Sequence, residues 1–519
     1  MGWEMHMRPA LPLLLLLSLT PPPAWSQSAQ DLRERGIEAF QRGDAEVAVR
    51  EFRQLVEQQA SGENFSYLAT AEFVAGDLPR AIEHFQRAIR LGYDTGSVHY
   101  NLGLAYQKLE QREAGIRELK AAAEREPGSM QVKYALGLAL LEAGRPHAAL
   151  PYLGEASASA PRDGAMAANL VRARFEAGQA TEALRAVDQA IRTNREDPVA
   201  AATLGRICLE HGQAQEARHL LENASEALPQ DTGIKFLLAR ASLAAGEPGE
   251  VLYALKGVDA NAGAPGERDF LLSRALALAD RLPEAAAEIA AAVRADPKNV
   301  DYLLTSAWIA QLEDEYDRSI ATLSEARKLD PARASVPYRM AVTYFLMMRY
   351  RDAAAQCEEA LLLAPRSDPA YFLLGIAKLD DHDFAGAQAA LRRAVELNGR
   401  APLYRYQLGI TLSKVGQIPE AVRELDRAVQ LDPNLVGAYF WRGQARKQLG
   451  LTKQAISDFE TAVALEPNYA NAYYELGRLY RQTGQIQKAQ TALARNQELK
   501  SQKSEEDREV LEKELVPLR

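Results

Sequence analysis

The feature that most constrains this chain is a period of 34 residues. Counting back from Gly477 in steps of 34 reaches Gly443, Gly409, Gly375, Ala341, Ala307, Ser273, Ala239, Gly205, Val171, Gly137, Gly103 and Ala69. A last step, shorter by one residue, reaches Gly36. Twelve residues after each stands a second small residue, from Ala48 and Ala81 to Ala455 and Ala489, with Val251 as the exception. A third series closes many units with proline, as at Pro127, Pro161, Pro297, Pro365, Pro433 and Pro467. Between the two small residues most copies carry a glycine, such as Gly76, Gly144, Gly212 or Gly484. Each unit therefore reads as helix, turn, helix. Apolar residues recur at helical spacing. The middle glycine tolerates the positive φ that ends a helix. The proline stops the second helix, because the residue before it avoids the helical region. Small residues at the two fixed positions let the paired helices approach closely.

Fourteen such units start at 29, 62, 96, 130, 164, 198, 232, 266, 300, 334, 368, 402, 436 and 470. The expected fold is all-α, a solenoid of antiparallel helix hairpins over residues 29–503. Stacked repeats of this kind bury one continuous core, with each unit touching its neighbours. The seventh to ninth copies are the weakest, and the stretch GVDANAGAPGERD at 257–269 reads as a hinge or a longer turn. Residues 504–519 are highly charged and open on Ser504, a helix N-cap candidate. They are expected to form a separate helix capping the end of the solenoid.

The spacing resembles the tetratricopeptide repeat family. Residues 436–469 carry the family's pattern in Tyr439, Gly443, Ala455, Phe459, Ala462 and Pro467. The resemblance implies a right-handed superhelix in which the first helix of each unit lines a concave groove. It also implies protein binding there, through positions 2, 5, 9, 12 and 13 of the unit. The family's clamp for a peptide carboxylate is matched only in part, by Arg339, and capture of a C-terminal peptide is not expected.

The N-terminus reads differently from the repeats. Arg8 precedes an apolar run from Leu11 to Leu19 and a proline cluster, and Ala24-Trp25-Ser26 offers small residues for a signal peptidase. The expectation is a secretory signal over residues 1–26, cleaved after Ser26. The run is too short for a bilayer, which needs about 20 residues. Export to a periplasmic or extracellular location follows. The net charge of -9 argues against a general nucleic-acid binder. The two cysteines, Cys208 and Cys357, lie many repeats apart and read as buried free thiols.

No spacing for catalysis is present: there is no HExxH, no GxSxG and no GxxxxGK[ST]. The seven histidines are scattered, and His211 and His219 flank a turn without a third ligand. Asn64 and Asn223 open glycosylation sequons, but both fall within expected helices, so no glycan is expected. No catalytic, cofactor or metal residue is assigned, and function is expected from the surface.

Two features vary along the groove positions that the resemblance implies. Position 9 holds Arg172, Arg206, Arg240 and Arg274 in four consecutive units. Glu176 and Glu210, four residues after the first two, offer local neutralisation. Arg240 and Arg274 have Ala244 and Leu278 there instead. Position 5 is aromatic or large from the seventh unit on, including Phe236, Phe270, Tyr338, Phe372, Tyr406 and Phe440. Each aromatic alone reads as scaffold packing. Together with Trp308 and Phe345 they make an apolar zone, which on a soluble surface marks a partner site. The expected partner is a protein or peptide carrying an acidic and an apolar segment. A polysaccharide-binding or export scaffold is the first rival reading, since aromatic rows with arginine suit an anionic glycan. An enzyme with an unfamiliar site is the second.

Overall fold

The computed structural model describes residues 27–194 and 197–515, with side chains over 28–194 and 197–502. The expected signal over residues 1–26 lies outside the described residues. Within them are 28 helices and no strand, paired in chain order into fourteen hairpins. First helices begin at Gly62, Gly96, Met130, Gly164, Pro198 and Thr232, and later at Val300, Asp368, Pro402, Val436 and Ala470. Their starts are chemically marked. The side chains of Ser61, Thr95, Ser129, Asp163, Asp197, Asp231, Asn299 and Ser367 each accept a hydrogen bond from a backbone N–H of the first turn. Such caps satisfy donors that the helix itself leaves open.

The two small positions are explained by what they touch. The first faces a large side chain sixteen residues on, in the second helix of the same hairpin. A methyl added to Gly375 would stand 2.5 Å from Leu391, and one added to Gly443 would stand 2.8 Å from Phe459. Gly103 faces Leu119, Gly137 faces Leu153 and Gly205 faces Leu221 in the same way. The second small position is fully buried at Ala81, Ala149, Ala285, Ala387 and Ala455. Between the helices the chain turns through one left-handed residue. This is glycine in most hairpins, for example Gly76 at φ 86° and Gly416 at φ 81°. It is Glu110, Asp280, Asp314, Met348 or His382 in the others, at φ between 57° and 66°.

The chain forms two compact units that divide after Leu255. In the first unit, the second helix of the seventh hairpin is Pro248–Ala254, seven residues where the sixth hairpin has fourteen. Gly257, at φ 73°, follows shortly after. In the second unit the segment leading to Glu267 is a loop that makes hydrogen bonds to the helices after it. Arg268 Nη1 donates to the Val258 carbonyl at 3.1 Å, and the Tyr302 hydroxyl donates to the Pro265 carbonyl at 3.0 Å.

The end of the chain differs from expectation. One helix runs unbroken from Ile486 to Leu515. Ser504 lies in its interior and starts no helix of its own. Residues 498–515 carry long-chain residues that favour helix and no glycine or proline, so nothing breaks the second helix of the last hairpin there. Cys208 and Cys357 are buried and free, and burial pushes both thiols up to about 12.

Candidate partner-binding surface

Position 9 and position 13 sit one turn apart on the same helix face, so they meet as an i,i+4 pair. In the fifth hairpin Arg172 Nε lies 3.9 Å from Glu176 Oε1. In the sixth, Arg206 Nη1 donates to Glu210 Oε1 at 2.6 Å. Both expected neutralisations are present. Arg240 was expected to lack a partner, but it makes an interaction of its own within the protein. These three belong to the first unit and Arg274 to the second, so the four arginines do not form one row within a single unit.

The aromatic positions also separate. Phe236, in the first unit, is 5% exposed and is taken up by the core. Ile234 and Leu238 of the same helix join the core that includes Ala254. In the second unit, Phe270, Trp308, Tyr338, Phe345, Phe372, Tyr406 and Phe440 are all half-buried. Several of them pack on neighbouring rings. Phe270 meets Tyr302 at 5.0 Å, Phe372 stacks on Tyr404 at 4.5 Å, and Phe440 meets Tyr469 at 5.1 Å. Tyr406 packs with Trp441. Scaffold packing therefore holds these rings, and their outer portions face solvent.

One residue gains weight that the sequence reading gave it only in passing. Arg339 is half-buried on the first helix of the tenth hairpin, Ser335–Leu346. Burial holds its guanidinium below the usual range, and the nearby charge of Arg274 adds to that. Arg274 itself lies over the Phe270 ring at 5.8 Å. The Arg274 charge is thus a secondary cause, after burial, that disfavours the charged form of Arg339.

His99 was also missed. It is 7% exposed, with Nδ1 2.6 Å from Glu118 Oε2 and Nε2 2.6 Å from Asp94 Oδ1. Only an imidazolium donates at both nitrogens. The Glu118 hydrogen bond is the main cause of its raised pKa. This is a structural clamp of the third hairpin. Among the described residues no cluster of three or more side chains suits a metal ion, and no helix is long and apolar enough to cross a membrane.

Tetratricopeptide repeat family models match residues 140–207, 209–267 and 448–500, and another matches 100–165. A TPR repeat model matches 70–110 and 414–450, so the matches together cover more than half of the chain. The chain belongs to the tetratricopeptide repeat family. Its 34-residue hairpins are tetratricopeptide units, and such repeats make the chain a scaffold for protein–protein interaction. A stretch of 114 residues is 27% identical to the heat-shock protein cognate co-chaperone sgt12 of Aspergillus fumigatus. That stretch is 22% of this tetratricopeptide chain and 33% of the co-chaperone, so the chain spans about a third of that relative. Among solved structures, the APC/C hetero-tetramer Cut9–Hcn1 is similar at 14% identity and a TM-score of 0.41, covering 87% of this chain and 96% of that one. YrrB, described as a TPR protein with an unusual peptide-binding site, is similar at 22% identity and a TM-score of 0.33, over 36% of this chain and 96% of that one. MamA is similar at 23% identity and a TM-score of 0.31, over 33% and 94% respectively.

Proposed function

We propose that this tetratricopeptide chain is an exported, non-enzymatic scaffold that holds a partner polypeptide against the groove face of its second unit. The observation that carries the reading is the series of half-buried aromatic residues on first helices of the second unit, with Arg274 over the Phe270 ring and Arg339 next to Tyr338 on Ser335–Leu346. The partner's carboxylates would face the two arginines, and its apolar side chains would cover the outer portions of Tyr338, Phe372 and Tyr406. The first unit supports an acidic ligand less, because Arg172 and Arg206 already face Glu176 and Glu210. Export rests on the sequence of residues 1–26 alone.

The test is a pull-down of native partners at two salt concentrations. It compares wild type with Arg274→Glu/Arg339→Glu and with Phe372→Ala/Tyr406→Ala. The arginine variant is expected to lose the partner and its salt dependence. The aromatic variant is expected to weaken capture at both salt concentrations. Retention of the same partners by both variants overturns the groove reading.

A further inference from the structure

The seventh hairpin keeps the repeat length but not the repeat shape. Its unit starts at Thr232 and the next at Gly266, 34 residues on, so nothing has been inserted. Yet its second helix stops at Ala254, and the following helix begins at Glu267. The connection over 255–266 is the longest between consecutive described helices, the next being 91–95 and 330–334. Part of a helix has been exchanged for loop. The residues show why. Gly257, Gly263 and Gly266 take left-handed backbone at φ 73°, 79° and 76°, and Pro265 has no backbone donor. A repeat that gives up half of a packed helix forgoes stability, and long connections in compact proteins concentrate function.

The segment is held at its ends and only locally bonded between them. The carbonyl of Val258, itself buried, accepts from Arg268 Nη1, and the carbonyl of Pro265 accepts from the Tyr302 hydroxyl. Between these two anchors Asp259, Ala260, Asn261, Gly263 and Ala264 are exposed. The hydrogen bonds around Ala260 are short-range. Asn261 N donates to Asp259 Oδ1 at 2.8 Å, and Ala262 N donates to the Asp259 carbonyl at 3.0 Å. Opening them disturbs no helix. No large apolar side chain lies between 259 and 264 to hold the backbone down.

We propose that this segment is a processing site, cut by an endopeptidase whose primary pocket accepts alanine. Such an enzyme takes its substrate as an extended strand, so packed helices resist it and an exposed loop that opens locally does not. Water adds across the peptide bond after Ala260 or Ala262. The C–N bond breaks, the carbonyl carbon takes the hydroxyl, and the nitrogen of Asn261 or Gly263 takes the proton. Neighbouring bonds are poorer substrates. Ala264 is followed by Pro265, and it is tied to Glu267 by its N–H, 3.2 Å from Glu267 Oε2, and by its carbonyl, which accepts from Glu267 N at 3.0 Å. Lys256 is exposed, but Val258, two residues on, would have to leave its buried place before a trypsin-like enzyme could extend the chain there. Arg268 lies within a helix, with its guanidinium on Val258 and Asp269. A cut after 260 or 262 leaves every described helix whole and divides the chain close to the boundary of its two compact units. It uses none of the groove residues of the preceding proposal, so the two readings fail independently.

The experiment is limited digestion of the full chain with elastase, whose primary pocket is small, read by intact mass and N-terminal sequencing. Within the helical hairpins and their connections, the first cut is expected after Ala260 or Ala262, giving two fragments that resist further digestion. In Ala260→Lys/Ala262→Lys, elastase cleavage at these bonds is expected to slow by about tenfold or more, as for a side chain that does not fit its pocket. Trypsin is expected to gain a cut at the same bonds. Both alanines lie outside the helices, and a thermal melt of the double variant checks its fold. Sequencing of the protein recovered from its native source is expected to find chains that start at Asn261 or Gly263. A first internal cut within a helix, equal elastase cleavage of the double variant, or native material made only of uncut chain overturns the proposal.

Discussion

The fifth and sixth hairpins and the eighth to tenth use the same two helix positions in opposite ways. In the former, an arginine at position 9 meets a glutamate at position 13, as Arg206 meets Glu210. In the latter the pairs are Arg274 with Leu278, Trp308 with Leu312 and Val342 with Leu346. The buried sides of these helices are alike. Leu204 and Ala307 pack inward in their hairpins just as Gly205 and Ala341 do. What differs is whether the exposed pair completes itself. An Arg–Glu pair satisfies its own charges and asks nothing of a partner. A row ending in leucine leaves apolar area that a partner would remove from water. The repeated geometry is thus common to these hairpins, and they differ in whether the exposed pair neutralises itself.

The largest expected effect tests how far burial changes the value of a charge pair. Asp458 is 2% exposed and accepts from Arg442 Nη2 at 2.6 Å and Arg446 Nη1 at 3.0 Å, with Asp426 bound to the same two arginines. Asp458→Ala would leave two partly buried guanidiniums with one carboxylate between them. Breaking such a buried pair costs about 3 kcal/mol. Chemical denaturation of the second unit's transition checks this. A loss as small as that expected for an exposed pair would show that burial does not separate the two kinds of pair.

Second comes a pH effect in the first unit. His99 is stabilised as an imidazolium, so its folded pKa lies above the ordinary value of 6.5. Its partner Asp94 is held below the usual carboxylate range, first by Arg125 and then by His99 itself. The stabilisation is fully present below the unfolded imidazole pKa and is lost as pH rises through the folded one. Thermal melts of wild type and His99→Gln are expected to differ most on the acid side and to converge above the folded pKa. A difference that is constant with pH would rule out the clamp.

Third, Met348→Gly removes a side chain from a left-handed backbone, which costs roughly 1–2 kcal/mol in an L-residue. Part of that is returned as glycine's larger chain entropy. A net gain of about 1 kcal/mol is expected, read as a raised melting temperature. No gain would mean that the turn of the tenth hairpin is not strained.

The fold class was legible because it rests on a strict period. A small residue is needed wherever Leu391 or Phe459 presses on the facing helix, and a left-handed residue is needed at every hairpin turn. Both needs repeat every 34 residues and leave a visible mark. The surface has no such period. Phe236 stands at the same repeat position as its counterparts, yet its ring is buried where theirs are half-buried. His99 was unreadable because its partners lie 5 and 19 residues away on different elements. Ser504 has the chemistry of an N-cap, but capping needs a helix to begin there, and helix formers on both sides carry the earlier helix through. The unit boundary had a sequence sign in Pro248, Gly249 and Gly257, although their consequence for helix length was not deducible from residue type alone.

The smallest expected effect addresses the comparison most directly. The Arg206 and Glu210 side chains are 46% and 50% exposed, so solvent screens their pair. An exposed i,i+4 pair contributes about 0.3–0.5 kcal/mol. Two things push this one to the low end. The arginine precedes the glutamate, which is the weaker order on a helix. Glu210 is also the last residue of Pro198–Glu210, where the helix dipole disfavours a negative charge. A double-mutant cycle with Arg206→Ala and Glu210→Ala should therefore give a coupling of no more than about 0.5 kcal/mol, fading in high salt. A coupling above about 1 kcal/mol would make the pair part of what holds the sixth hairpin together. Its contrast with Trp308 and Leu312 would then concern stability alone. A coupling near zero leaves masking of Arg206 as the role of Glu210. In that case Glu210→Leu, which copies the second unit's arrangement, should keep stability within about 0.5 kcal/mol of wild type while exposing a cation beside an apolar side chain.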